Sequence, residues 1–201
     1  MSDQKESPGL GRSPTRRHDG DEPMLHGALY ASMSLDQLLK RMDDRQRRLF
    51  ACLCAEHVLY YFERDYPEDR RPRQAIETAR RFAHNQTTGE QLALAQKAAE
   101  QTYEEIVYQP RRETAAAAAR AAASAALNPV NTRRVITWVV GTLAQDVAVS
   151  QARISRAQRN DPLRQRVAWE AVTAREIALA RKIERNWMRE QAIKVLTEEP
   201  A

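Results

Sequence analysis

Glycine is scarce in this chain and unevenly placed. Of six glycines in 201 residues, Gly9, Gly11, Gly20 and Gly27 fall within the first 27, leaving only Gly89 and Gly141 for the rest. Sheet proteins draw on glycine at many turns, so so sparse a supply excludes a β architecture. Apolar runs of the ~20 residues that a membrane helix needs are absent, which excludes a spanning segment. Cysteine is limited to Cys52 and Cys54, too close together in the chain to staple a fold. The opening Met-Ser-Asp-Gln-Lys-Glu-Ser-Pro carries no apolar stretch, so no secretory signal is expected. Together these absences predict a soluble cytoplasmic protein with no membrane partner.

What is abundant is Ala, Arg, Gln, Leu and Glu, all favourable in helices. The expected fold class is all-α: a single-domain bundle of six or seven helices over 34–201, preceded by a disordered tail over 1–33 that is polar and broken by Pro8, Pro14 and Pro23. Ser34 with Gln37 has the spacing of a capping box, and a fresh start near Asp43–Asp44 leads into Phe50, Leu53, Cys54, His57, Val58 and Tyr61, which share one helix face. Pro67 ends that helix and Pro72 suits the first turn of the next. Thr87 with Glu90 reads as a further capping box, and Pro110 closes the helix it opens. The run from Thr114 through Leu127 is almost all alanine and predicts a thin central helix packed on both sides. Asn128-Pro129 stops it, a helix follows from about Thr132 to Arg159, and Asp161-Pro162 opens a last one reaching about Leu196. The stripe expected on that last helix is Val167, Ala171, Ala174, Ala178 and Trp187, and its length suggests a projecting or partner-binding helix.

Charge is unevenly spread. Residues 111–160 carry eight arginines, Arg111, Arg112, Arg120, Arg133, Arg134, Arg153, Arg156 and Arg159, against only Glu113 and Asp146, while acids and bases nearly balance elsewhere. A guanidinium grips carboxylate or phosphate in a planar fork, so these arginines, with Trp169 and Trp187 as aromatic anchors, are the candidate partner contacts.

Sites of chemistry are harder to find. Cys52, Cys54 and His57 form a C-x-C-x2-H pattern, but residues two apart point to opposite sides of a helix, and the remaining pair does not complete a four-ligand site. No glycine-rich phosphate loop and no Glu-x-x-His pair occurs. No metal, no cofactor and no catalytic residue is assigned, and the protein is not expected to be an enzyme.

One stretch is specific. Cys54-Ala-Glu56-His57-Val-Leu-Tyr-Tyr-Phe-Glu63, followed by Tyr66-Pro67-Glu-Asp69-Arg70-Arg71-Pro72-Arg73-Gln-Ala-Ile76-Glu77-Thr-Ala-Arg80, resembles the bacterial Imm-five-like family of "putative immunity proteins" over about residues 43–127. The resemblance implies an all-helical fold, an Ala-rich helix after the motif, and a place beside toxin systems or in phage-like genomes. Beyond the motif the chain departs from the family, with Val135-Ile-Thr-Trp138-Val-Val-Gly141 where small-residue helices with Gly-His or Ala-His patterns are common. Physically the motif reads as scaffolding: two prolines fix a turn, and Glu63, Asp69, Arg70, Arg73 and Glu77 can pair across it.

The function expected is therefore non-catalytic binding, an immunity- or antitoxin-like protein that occludes a toxin or other effector. The alternatives are a nucleic-acid-associated helical protein using the 111–160 arginines on phosphates, and a self-associating structural subunit of a phage or bacterial assembly.

Overall fold

The computed structural model describes residues 29–157 and 162–197, with side chains described for 29–150 and 174–197. Among the described residues there are seven helices and no strand: α1 (Leu35–Arg41), α2 (Asp44–Glu63), α3 (Arg71–Ala83), α4 (Gly89–Ile106), α5 (Glu113–Ala125), α6 (Thr132–Ala157) and α7 (Pro162–Thr197). None of them is long and apolar enough to cross a membrane.

The helix starts follow from local hydrogen bonding. Ser34 Oγ accepts the Gln37 N–H at 3.3 Å while Gln37 Oε1 accepts the Ser34 N–H at 2.8 Å. Asp43 and Gln46 repeat the exchange at 2.7 and 3.1 Å, so α1 and α2 open on reciprocal boxes only a few residues apart. The expected cap of α4 is displaced by one residue. Thr88, in extended backbone, accepts the Gln91 N–H at 3.2 Å, and Thr87 bonds instead to the Gln91 side chain. Thr88 and Gln91 have the same three-residue spacing as Thr87 and Glu90, so the pattern alone allows either register.

The alanine helix is the centre of the bundle. Ten residues of α5 are buried, nine of them alanines together with Ser124. Helices α2, α3, α4 and α6 all pack against it, because side chains this short let neighbouring backbones approach closely on every side. Helix α2 is enclosed in the same way, by α3, α5, α6 and α7. That is why both cysteines are buried although they point apart: Cys52 Sγ donates to the Ile76 carbonyl of α3 at 3.7 Å, and Cys54 lies on the side where Glu184 of α7 approaches.

Helix α7 buries a stripe that only partly follows the one its sequence suggests: Trp187 packs on the core, as expected. Glu184, Met188, Ala192 and Val195 are buried, whereas Ala174 and Ala178 are exposed, and Val167 and Ala171 lie outside the described side chains. A methyl group offers little area to bury, so Met188 and Val195 set the docked face. Arg189 ties this end of α7 to the start of the described chain, donating to the carbonyls of Met33 at 2.7 Å and of Ala31, while Tyr30 and Met33 pack on the core. Residues 29–33, the end of the segment expected as tail, are thus anchored, and 1–28 lie outside the described residues.

Close packing makes a sharp expectation. Ala122→Leu should lower stability by about 1–3 kcal/mol, since extra methylenes in a filled core force shifts. Ala178→Leu, on an exposed surface, should leave the urea midpoint unchanged; equal midpoints for the two variants would contradict the enclosed position of α5.

Candidate functional site

The turn between α2 and α3 is held by a ladder of ion pairs. Glu56 accepts from Arg80 at 2.6 Å, and Glu63 accepts from both Nε and Nη2 of Arg73 at 2.5 and 2.8 Å, linking the end of α2 to the first turn of α3. Arg71 grips Asp69 through Nε and Nη2, with its shortest bond at 2.7 Å, and reaches Glu105 of α4 at 2.6 Å. Asp69 also accepts the backbone N–H of Arg71 at 3.0 Å. The partner of Asp69 is therefore Arg71; no ion pair joins it to Arg70, which serves as the N-cap residue of α3 without a side-chain bond. Beyond the turn, Asp65 binds Arg64 at 3.2 Å and Arg112 at 2.8 Å, and the Arg112 guanidinium lies over the Tyr66 ring, which stacks on Phe62.

Electrostatics follow this geometry. Burial alone would push the Asp69 carboxyl up, but the Arg71 side chain and N–H hold it below its ordinary value. Burial likewise works against Asp65, and the bonds from Arg112 and Arg64 bring it below as well. Glu105 is lowered chiefly by Arg71. The thiols behave oppositely: burial pushes Cys52 up to about 12 and Cys54 well above the usual thiol range, so neither is a thiolate at neutral pH. Among the described residues no three His, Cys, Asp or Glu side chains converge on a point where a metal could bind.

At the other end of α2, Arg48 is buried and donates to the Leu127 carbonyl at 2.9 Å and to Asn128 Oδ1 at 3.0 Å, with its guanidinium over the Phe82 ring. It pins the turn between α5 and α6. Two clefts flank that turn and share Pro129 and Val130. One is lined by Lys40, Arg47 and Arg133, the other by Arg45, Arg48 and Phe82.

The family model described as "Imm-5 like putative immunity protein" matches residues 37–143, just over half of the chain. The chain belongs to this family. Its matched segment runs from α1 into α6 and contains the ion-pair ladder, the alanine helix and, Asp36 apart, the lining of both clefts. No curated protein and no solved structure gives a match.

Within the family segment the candidate arginines fall in several places, with Arg134 close enough to Arg120 to act on it electrostatically. Arg112 is engaged with Asp65, and Arg120, on the alanine helix, pairs with Glu100 and lies 4.7 Å over the Tyr103 ring. Arg111 is exposed in the turn before α5, with a left-handed backbone (φ 66°). Arg133 and Arg134 are exposed at the start of α6, Arg133 in a cleft. Arg112 and Arg133 sit at opposite ends of α2, a helix about 30 Å long. The side chains of Arg153, Arg156, Arg159 and Trp169 lie outside the described residues.

Trp187 lies beyond the family segment and brings a cluster that the sequence reading missed. It stacks on His57 with ring centroids 3.9 Å apart, and His57 Nε2 meets Glu184 Oε2 at 3.3 Å. The Glu184 side chain is 5% exposed and that of His57 36%, and Glu184 Oε1 has no hydrogen-bond partner among the described residues. The available signal was register: Glu184 stands four residues before Met188 and eight before Ala192, on the stripe that docks.

Two outcomes follow. Carboxyls depressed in the fold contribute stability above their unfolded pKa of about 4, and that contribution is lost as pH falls through the folded values. Arg71→Met should therefore cost about 1–2 kcal/mol at neutral pH and flatten the fall in urea midpoint between pH 5 and about pH 2; an unaltered acid slope would remove Arg71 as its source. His57→Ala should cost about 1–3 kcal/mol by leaving Glu184 bare, and distinctly less in a Glu184→Leu background, a coupling that a double-mutant cycle reads directly.

Proposed function

We propose that this protein is the neutralising partner of an effector protein, acting by stoichiometric binding that covers the effector's working surface. Membership of the Imm-5 like family across 37–143 carries the reading, since that family is described by an immunity role. The motif residues support it by what they do. Glu56, Glu63, Asp69, Arg71, Arg73 and Arg80 are engaged with one another and with α4, so they stiffen a scaffold. A stiff scaffold suits occlusion, because a surface already in its bound shape loses little conformational entropy on association.

The decisive experiment is affinity capture of the full chain from its native host, with half of the lysate treated with nuclease, read by mass spectrometry. One protein recovered from both halves at near-equal stoichiometry is the expected result. Recovery of nucleic acid and its escort proteins from the untreated half alone would overturn the reading.

A further inference from the structure

Around the α2–α3 turn and on α5, Arg71, Arg73, Arg80, Arg112 and Arg120 meet carboxylates of the chain itself, whereas Arg70 and Arg111 are exposed and make no ion pair among the described residues. Around the α5–α6 turn the cations are not neutralised in that way. Lys40 and Arg133 are exposed and make no ion pair among the described residues, and Arg45 meets only the His84 ring, at 3.2 Å from Nδ1. Arg47 pairs with Asp44 at 3.5 Å, whose side chain is almost fully in solvent, and its Nε donates to the Leu39 carbonyl at 3.4 Å. These four cations stand around the two clefts that flank Pro129 and Val130.

Apolar side chains lie between the cations, beside the polar Asn85, Asn128, Asn131 and Thr132. Leu39 lies in one cleft, Phe82 and Ala83 in the other, and Pro129 with Val130 between them. We propose that this paired cleft is the contact surface for an acidic segment of the effector, with Asp or Glu carboxylates on Lys40, Arg45, Arg47 and Arg133 and intervening apolar side chains on Leu39, Pro129 and Val130. The inference rests on the effector-binding reading above and names the chemistry it requires. A polypeptide fits better than a phosphate backbone. Nucleic-acid grooves track phosphates continuously and offer open rings for bases. Here the one ring in the lining, Phe82, is already covered by Arg48.

The test uses the full chain and a fluorescein-labelled peptide alternating glutamate and leucine, read by anisotropy, with a 12-nucleotide single-stranded DNA as a second probe. Wild type should bind the peptide more tightly than the DNA. Lys40→Glu with Arg133→Glu should weaken peptide binding about tenfold or more, because like charges then face the ligand. Neither side chain makes an ion pair among the described residues, so this variant should keep its fold, with only a small drop in melting temperature from an acid in the last turn of α1. Arg181→Glu with Lys182→Glu, an equal charge change on the exposed face of α7, should bind as wild type does. No peptide binding by wild type, equal weakening in both variants, or preference for DNA through Lys40 and Arg133 would each overturn the proposal. Host capture separates it from the broader reading: if wild type and the Lys40→Glu, Arg133→Glu variant retain one effector equally, the cleft is wrong and the effector-binding role stands, whereas capture of no effector by wild type removes the role itself.

Discussion

Close approach to α5 is the constraint from which the rest of the bundle follows. A helix built from alanine has almost no side-chain bulk, so four neighbours can lie against it at short interaxial distance, and each must present a face that fits a nearly smooth cylinder. Large apolar side chains are accordingly placed on the surrounding helices: Phe50, Leu59 and Phe62 on α2, Ile76 on α3, Leu92 on α4, Val135 and Val139 on α6. The core is therefore supplied from the outside inward, and α5 is the space they converge on. Alanine also has the highest helix propensity, which offsets the small area that each residue of α5 buries.

Around this core, charge is divided between two ends of α2. At the C-terminal end, carboxylates and guanidinium groups consume one another in a network that spans α2, α3, α4 and the start of α5. Half-exposed pairs contribute little singly, but here several share partners, so one ordered side chain serves more than one bond. At the N-terminal end the chain spends one arginine, Arg48, on pinning the α5–α6 turn and leaves its neighbours unneutralised. The basic excess of residues 111–160 is, in space, partly neutralised near the C-terminal end of α2, by Arg112 with Asp65, and open near the α5–α6 turn.

How much of this the sequence declares depends on the range of the interaction. Ser34, Asp43, Pro67, Pro72 and the alanine run act locally, and each is visible as a pattern within a few residues. The cap of α4 lies at the edge of that resolution, because Thr87 and Thr88 offer the same pattern one residue apart. The ladder around the α2–α3 turn is half visible: the charged residues are evident, but whether Asp69 takes Arg70 or Arg71 depends on the backbone of a proline-fixed turn. The clefts at Pro129 and the contact of His57 with Glu184 are invisible, since they join residues about 90 and more than 120 positions apart and no periodicity links such partners. Of the stripe expected on α7, Trp187 packs on the core but Ala174 and Ala178 do not, because alanine fits an exposed helix surface as well as a buried one and its spacing carries little directional weight.

Alanine has a further consequence, through the one residue that interrupts it. A cylinder of identical methyl groups looks much the same after a slide of one turn or a small rotation, so a helix like α5 is intrinsically degenerate in its seating. Arg120 removes that degeneracy. Its guanidinium lies between Glu100 and the face of Tyr103 on α4, a placement that a slid or rotated helix would lose. One polar side chain thereby acts as the key that selects a unique alignment from many nearly equivalent ones, much as a lone polar residue fixes register in a coiled coil.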